Sequence, residues 1–525
     1  MYLISFDSAS LRIEKGMFMS SLMKTTLLEL IRRTSAFLPP DVQEVIDLKK
    51  NLEAKESKAR FALETVSRNI GLAKARSLPI CQDTGTITFY VHTPVSFNQM
   101  EFKKQAQEAV VNATELGYLR QNSVDSVSGK NSGNNLGPGA PVFHFEQWEH
   151  PEVEIKLVLK GGGCENVSAQ FSLPAEFQGV RYGRDLKGVK ACILEAVYQA
   201  QGKGCGPGFL GVCIGGDRTE SYAHAKAQLL RSLEDHHPQE ELALLESEVL
   251  QDANRLKIGP MGFGGEMTIG SCKIGALNRL PASFYVSIAY MCWAFRRRGV
   301  LTNPQGEVKE WLYTAPHEFS ENTVYEESPA LPLENGITLK TPVSEEQIRS
   351  LKVGDVVFID GIVCTGRDAV HKYIHDGGSI PALHNQILYH CGPVVLEEKI
   401  HGETIYQVKA AGPTTSIREE PYEYDVIKEY GIKAVIGKGG MGKKTLAACK
   451  EFGAVYLHAI GGAAQVYAEC VQRIKEVHLK EELGSPEAVW VMEVQGFPAV
   501  VTMDSHGASF HEIIQQSSQK ALVSL

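Results

Sequence analysis

The chain has 525 residues, 43% of them apolar and 22% charged, with a formal net charge of −9. These values suit a soluble globular protein of two to four domains. They argue against a nucleic-acid-binding surface, which needs clustered Lys and Arg, but allow an anionic ligand in a locally positive pocket.

Met1, Met17, Met19 and Met23 crowd the start, which contains acidic residues and no continuous apolar core. It does not read as a secretory signal, and Met23 is a candidate start. Residues 24–76 predict helices: Leu27, Leu28, Leu30 and Ile31 cluster, Val42, Val45 and Ile46 recur at helical spacing, and Phe61, Leu63, Val66 and Ile70 do so more loosely. Pro79 ends the pattern. Cys81–Gln82–Asp83–Thr84–Gly85 predicts a functional loop before a strand, Thr86 to Val91, and Phe102 to Leu116 is again helical. Residues 121–141, rich in Asn, Ser, Gly and Pro, predict a long loop. Val153, Ile155, Leu157 and Leu159 alternate as in a half-buried strand that runs into Gly161–Gly162–Gly163. A helix near 185–200, a Gly-rich turn at 202–208, a strand from Phe209 to Ile214 and a helix over about 219–234 follow.

Residues 314–335 lack periodicity and are rich in Glu, Pro, Ser and Asn, the pattern of a linker. Beyond them strands dominate: Val356–Ile359, Pro393–Leu396, Ile405–Val408, Ala434–Ile436, Val455–Leu457, Val489–Val494 and Ala499–Val501. Ser344 with Gln347 has capping-box form. The chain thus divides into a larger α+β domain, largely helical with some strands, over 24–313, and a smaller β-rich α/β domain over 336–510. No apolar run reaches the ~18 residues of a membrane span.

Three loops of the second domain carry cations and hydroxyls. Gly437–Lys438–Gly439–Gly440–Met441–Gly442 matches G-x-G-x-x-G between a strand and a helix. However, no Asp or Glu lies from Gly453 to Val466 to bind a ribose, and Lys444 replaces the Ser or Thr of a Walker A loop. A tight turn, or an anion-binding loop with Lys438 directed at a carboxylate, fits better. Gly412–Pro413–Thr414–Thr415–Ser416–Ile417–Arg418 and Thr365–Gly366–Arg367–Asp368 each place an Arg at a strand end. Each alone is equally a polar turn with a surface Arg, and Asp368 equally a first-turn acid. Together they suit a ligand with two carboxylates, since Arg binds carboxylates through a flat fork.

The 11 cysteines run from Cys81 to Cys470 with no C-x-x-C. That reads as thiols or metal ligands in a reducing compartment. Most are plain small hydrophobes. Cys81, between Pro79 and Gly85, and Cys205, in Gly204–Cys205–Gly206–Pro207, stand apart from that pattern. Cys292, in the apolar segment Tyr285 to Trp293, does not.

Read in order, the loops Cys81–Gly85, Lys160–Gly163, Gly412–Thr415 and Gly437–Gly439 resemble class I iron–sulfur fumarate hydratases, the family that includes tartrate dehydratases, in a fused two-domain form. The likeness spans about Met23 to Ser505. It implies a [4Fe–4S] cluster on Cys81, Cys205 and Cys292, with one iron left open as a Lewis acid. It implies substrate contacts from Gln82, Arg120, Gly163, Arg367, Arg418 and Lys438, between the first domain and a swivelling second domain. It also implies Thr414 as the base, helped by Asp83. The expected activity is reversible hydration of fumarate to (S)-malate, or hydro-lyase action on tartrate or mesaconate. A homodimer in the cytoplasm is expected, without nucleic-acid or membrane partners. Rival readings are a nucleotide-binding oxidoreductase and a non-enzymatic dicarboxylate-binding protein. Two departures stand out. Leu280–Pro281 runs directly into Ala282–Ser283 where the family often has a histidine, and Cys164 follows the triple glycine where serine is frequent.

Overall fold

The computed structural model describes residues 22–316, 318–319, 336–401 and 403–525. Met1, Met17, Met19 and most of the expected linker 314–335 lie outside the described residues.

The chain begins with three helices, Leu22–Ala36, Pro40–Lys50 and Lys58–Arg76. The first buries Leu27, Leu30, Ile31 and Thr34, one stripe at helical spacing. The third is capped by Ser57, whose side chain accepts from Arg60 N, and stops at Ser77 in the left-handed region, φ 51°. Two sheets follow. The five-stranded sheet has the order Val308–Leu312, Arg296–Thr302, Val153–Lys160, Thr86–Thr93 and Val142–Gln147. The four-stranded sheet has the order Ala169–Ser172, Tyr285–Met291, Gly208–Gly215 and Ile269–Leu277. Strands thus hold more of this region than the sequence predicts. Gly208–Gly215 is buried at all eight positions, so it shows no alternation to read. The helix expected over 219–234 runs only from Arg218 to Gln228, and a longer helix, Glu240–Arg255, buries Leu242, Leu245, Val249 and Ala253.

The second region is built on a seven-stranded sheet. Strands Val356–Thr365, Ile387–Tyr389, Ala434–Gly437 and Val455–His458 run parallel in that order. The strand Val489–Met503 pairs antiparallel with both Val356–Thr365 and Val455–His458, so the sheet closes on itself. This one strand unites two expected ones, bent at Gly496 with φ +63°. Ser344 and Gln347 form the predicted capping box. A final helix, Phe510–Val523, returns to the first region, where Gln201 Nε2 donates to Ser518 Oγ at 3.1 Å.

Candidate active site between the two halves

Sheet geometry brings distant residues to one edge. Thr86 pairs antiparallel with Lys160, so the loop before the first strand and the loop after the other lie side by side. Gly85 makes this possible: its φ is +74°, and a Cβ there would meet the Lys160 carbonyl at 2.3 Å. Arg296 pairs with Leu159 and Met291 with Phe209, which carries Cys292 to the same edge and beside Cys205. Trp293 N donates to the Cys205 carbonyl at 3.4 Å. In the second region the parallel strands end on one side. Gly366–Arg367, His390–Gly392, Lys438–Gly440 and Ala459–Gly462 therefore all face the first region.

The two halves interlock at this edge. Gln82 Nε2 donates to the Pro413 carbonyl at 2.9 Å, Arg120 Nη1 to the Gly392 carbonyl at 2.8 Å and Trp293 Nε1 to the Gly461 carbonyl at 2.7 Å. Asn69 Oδ1 accepts from Gln465 N at 2.7 Å. Leaving such a buried group unpaired costs about 1–3 kcal/mol, so these bonds fix how the halves meet.

Cys81, Cys164, Cys205 and Cys292 are all buried and unpaired by disulfides. Lys438 Nζ lies 2.8 Å from Cys205 Sγ. Burial opposes the charge of Lys438, but the sulfurs of Cys205, Cys81 and Cys292 outweigh it and hold the ammonium above its ordinary range. Lys438 is thus turned toward sulfur, not toward open solvent. Cys164 shares a hydrogen bond with Cys292 and is drawn down to about 7 by that bond and by Lys160 and Lys438, against its burial. The odd cysteine after the triple glycine therefore sits among the sulfurs. The Cys205 sulfur nests against Gly461, where a Cβ would come within 2.4 Å. Soft, buried thiols on separate loops, with a cation beside them, fit the donor set of an iron–sulfur cluster.

Around the sulfurs lie the polar groups. Asp83 Oδ2 accepts from Gly162 N at 2.9 Å, and Asp83 Oδ1 lies 3.6 Å from Arg120 Nη2. Burial raises its pKa, but Arg120, Arg296 and Lys438 together outweigh burial and keep Asp83 ionised. Arg418 Nη2 donates to Thr414 Oγ1 at 3.0 Å and pairs with Asp368 at 3.0 Å. Arg367 Nη1 pairs with Glu487 at 2.9 Å. Gly163 faces Thr415 Oγ1 and Lys438 Nζ, at 3.4 and 3.6 Å from an ideal Cβ. A cleft of about 610 Å³ lined by Lys203, Ile417, Gly439, Met441 and His511 opens beside them.

The Gly437–Gly442 turn holds no phosphate site of the kind its pattern suggests. Glu420 occupies the start of the helix Lys443–Phe452: Oε2 accepts from Gly442 N at 2.7 Å and Thr445 Oγ1 at 2.6 Å, and Oε1 from Lys444 N at 2.9 Å. A phosphate there would meet a carboxylate. Sequence reasoning also passes over Arg296, whose Nη2 donates to the Asp83 carbonyl at 2.7 Å. Its signal is three consecutive arginines, Arg296–Arg297–Arg298, in a buried strand, which demands partners.

This is a hydro-lyase, assembled from two halves on one chain. It belongs to the class I fumarate hydratase and tartrate dehydratase family: the family models described as "Fumarate hydratase (Fumerase)" and "Fumarase C-terminus" match residues 24–300 and 306–514. A Geobacillus stearothermophilus protein named "Putative fumarate hydratase class I" is 54% identical over 503 residues, 95% of this chain and 97% of the relative. A Methanocaldococcus jannaschii protein named "Putative L(+)-tartrate dehydratase subunit alpha" is 33% identical over 52% of this chain and 94% of the relative. The Escherichia coli K12 "L(+)-tartrate dehydratase subunit beta" is 38% identical over 32% of this chain and 83% of the relative. Among the described residues no helix is long and apolar enough to cross a membrane.

Proposed function

We propose that this chain hydrates fumarate to (S)-malate and runs the reverse dehydration, with a [4Fe–4S] cluster held by Cys81, Cys205 and Cys292. The observation that carries the proposal is the gathering of these buried thiols around Lys438 Nζ, 2.8 Å from Cys205 Sγ, beside the cationic loops. When bound, the cluster supplies an open iron as a Lewis acid for the hydroxyl that is added or removed.

The rest of the chemistry falls to side chains of the chain. Arg120, Arg367, Arg418 and Lys438, with Gln82 and the backbone at Gly163, hold the two carboxylates and fix the carbon skeleton between the halves. Burial of Arg120, Lys438 and Gln82 strengthens their contacts by excluding water. Thr414 is the base that takes the carbon-bound proton in dehydration and returns it in hydration. A neutral hydroxyl is a poor base. Arg418, 3.0 Å from Thr414 Oγ1, favours the deprotonated oxygen, and the ionised Asp83 is the carboxylate that assists proton movement. Cys164, hydrogen-bonded to Cys292, lies among the sulfurs without taking a ligand's place in this assignment. A homodimer in a reducing, cytoplasmic compartment belongs to the same proposal, and size-exclusion with light scattering tests the dimer.

The test is anaerobic purification with iron and sulfide counts, then fumarate hydration before and after air exposure. About four irons per chain with air-labile activity supports the proposal, and full activity without iron removes it. Thr414→Ala is expected to lower turnover about 10²–10⁴-fold, the range for a general base, with far less effect on binding. Near-normal turnover in that variant would reassign the base. Rates on fumarate, tartrate and mesaconate decide the substrate.

A further inference from the structure

Behind the substrate loops, away from the sulfurs, two histidines and a glutamate meet with no side-chain exposure at all (0%). His371 lies on the helix Asp368–His375, His390 follows the strand Ile387–Tyr389, and Glu423 opens the helix Glu423–Tyr430. His371 Nε2 at 2.9 Å and His390 Nε2 at 3.0 Å approach the same oxygen, Glu423 Oε2.

Hydrogen-bond chemistry fixes the charge of His371. Its Nδ1 lies 2.9 Å from the Arg367 carbonyl, which can only accept, so Nδ1 carries a proton. Its Nε2 faces a carboxylate oxygen, so attraction requires a proton there too, and the ring is an imidazolium. Burial works against that charge, but Glu423 outweighs it and keeps His371 protonated up to about 9. His390 turns its other nitrogen, Nδ1, to Ser416 Oγ at 2.8 Å, and Tyr456 OH donates to that same Oγ at 2.9 Å.

The backbone around this triad is the backbone of the substrate loops. The His390 carbonyl accepts from Thr414 N at 2.7 Å. Two residues on, the Gly392 carbonyl accepts from Arg120 Nη1 at 2.8 Å. Gly392 also lies against the Arg367 guanidinium, where a Cβ would come within 2.5 Å of Nη1. Ser416 N donates to the Lys438 carbonyl at 3.1 Å, and Lys438 N to the Thr414 carbonyl at 3.2 Å.

We propose that His371, Glu423 and His390 are positioning residues: a buried ion-paired brace that sets the spacing of Arg120, Arg367, Thr414 and Lys438. The proposal rests on the fumarate hydratase reading above for the roles of those four groups. A misplacement of about 1 Å at a reacting group can cost about 100-fold in rate. A brace of this kind therefore acts on turnover and dicarboxylate binding, and not on cluster loading.

The experiment compares wild type, Glu423→Gln and Glu423→Asp as anaerobically prepared holoenzymes. It measures iron and sulfide per chain, circular dichroism, kcat and KM for fumarate, and calorimetric binding of succinate, which has no double bond to hydrate. Glu423→Gln is expected to keep its iron and its dichroism while kcat per loaded site falls about 100-fold and succinate binds about tenfold more weakly. Glu423→Asp, which keeps the charge, recovers part of both. If Glu423→Gln does not fold, His390→Asn, which keeps the carbonyl bonded to Thr414, carries the same comparison. Kinetics and succinate affinity within twofold of wild type in the loaded variant would overturn the brace. So would one equivalent of a non-iron metal in wild type that disappears in His371→Asn, since the triad would then be a metal site. A wild type that holds iron but does not hydrate fumarate would remove the fumarate reading instead, and the succinate arm would still test the brace.

Discussion

Gly461→Ala isolates the fit between the second region and the buried thiols. Gly461 is not among the residues with positive φ, so alanine is allowed by the backbone and the substitution is purely steric. An ideal Cβ would lie 2.4 Å from Cys205 Sγ, 2.9 Å from Lys438 Cδ and 3.3 Å from Cys205 Cβ. Ordinary contact begins near 3.5 Å, so the sulfur must move by roughly 1 Å or the loop must retreat. Retreat is opposed because the Gly461 carbonyl accepts from the buried Trp293 Nε1 at 2.7 Å. The overpacking is expected to cost about 1–3 kcal/mol. It should also displace Cys205 from its partner Lys438. The assay is iron and sulfide content of anaerobically purified variant, with thermal unfolding on the same sample. Iron should fall well below the wild-type count and the melting temperature should drop. A variant that keeps full iron, full activity and an unchanged melting temperature would refute the placement of Cys205 against this turn.

Gly163→Ala provides the contrast: its Cβ would meet Thr415 Oγ1 and Lys438 Nζ at ordinary distances, 3.4 and 3.6 Å, so unfolding should be unchanged while KM for fumarate rises several-fold in steady-state assays. Arg298, with a side chain 0% exposed, pairs with Glu318 at 2.9 Å. Arg298→Met removes the shorter of two cationic contacts to the buried Glu318, leaving Lys74 at 3.6 Å, and is expected to lose about 1–3 kcal/mol in urea unfolding. A loss below about 1 kcal/mol would show the pair to be solvated. The raised pKa of His371, about 9 against an ordinary 6.5, contributes stability that is fully present below pH 6.5 and is lost as pH rises through 9. Differential scanning calorimetry should therefore show the melting-temperature gap between wild type and Glu423→Gln narrowing over that interval. A gap that widens with pH would contradict the imidazolium.

The parts of the site legible in the sequence are those set by local backbone chemistry. Cys81 and Cys205 stand in Gly- and Pro-bearing loops, and Cys205 takes φ +52°, which such a turn accommodates. Cys292 is silent because its neighbours form a strand buried on both faces, Tyr285–Met291. Only the pairing of Met291 with Phe209 brings it to Cys205, and pairing across about 80 residues leaves no local mark. The G-x-G-x-x-G turn misleads for the opposite reason. Its local pattern is real, but Glu420, from another loop, fills the helix start. The helix Glu240–Arg255 carries an apolar stripe, Leu242, Leu245, Val249 and Ala253, that helical spacing would have revealed, but the helices predicted for this region end at about 234. The strand Arg296–Thr302 is not legible, because charge and burial coincide in it and its partners Asp41 and Glu318 come from elsewhere in the chain.

The returning helix Phe510–Val523 bears on how such a site is assembled. Relatives named as tartrate dehydratase subunits alpha and beta each match only part of this chain, 52% and 34% of it. Two separate subunits meet at a rate and occupancy that depend on their concentrations. Here the halves share one chain, and the last helix lies back on the first half through Ser518 and Gln201. Docking is then intramolecular, and its effective concentration does not depend on the concentration of the protein. Every chain carries one copy of each half, so completing the cleft is independent of dilution and of any imbalance in synthesis.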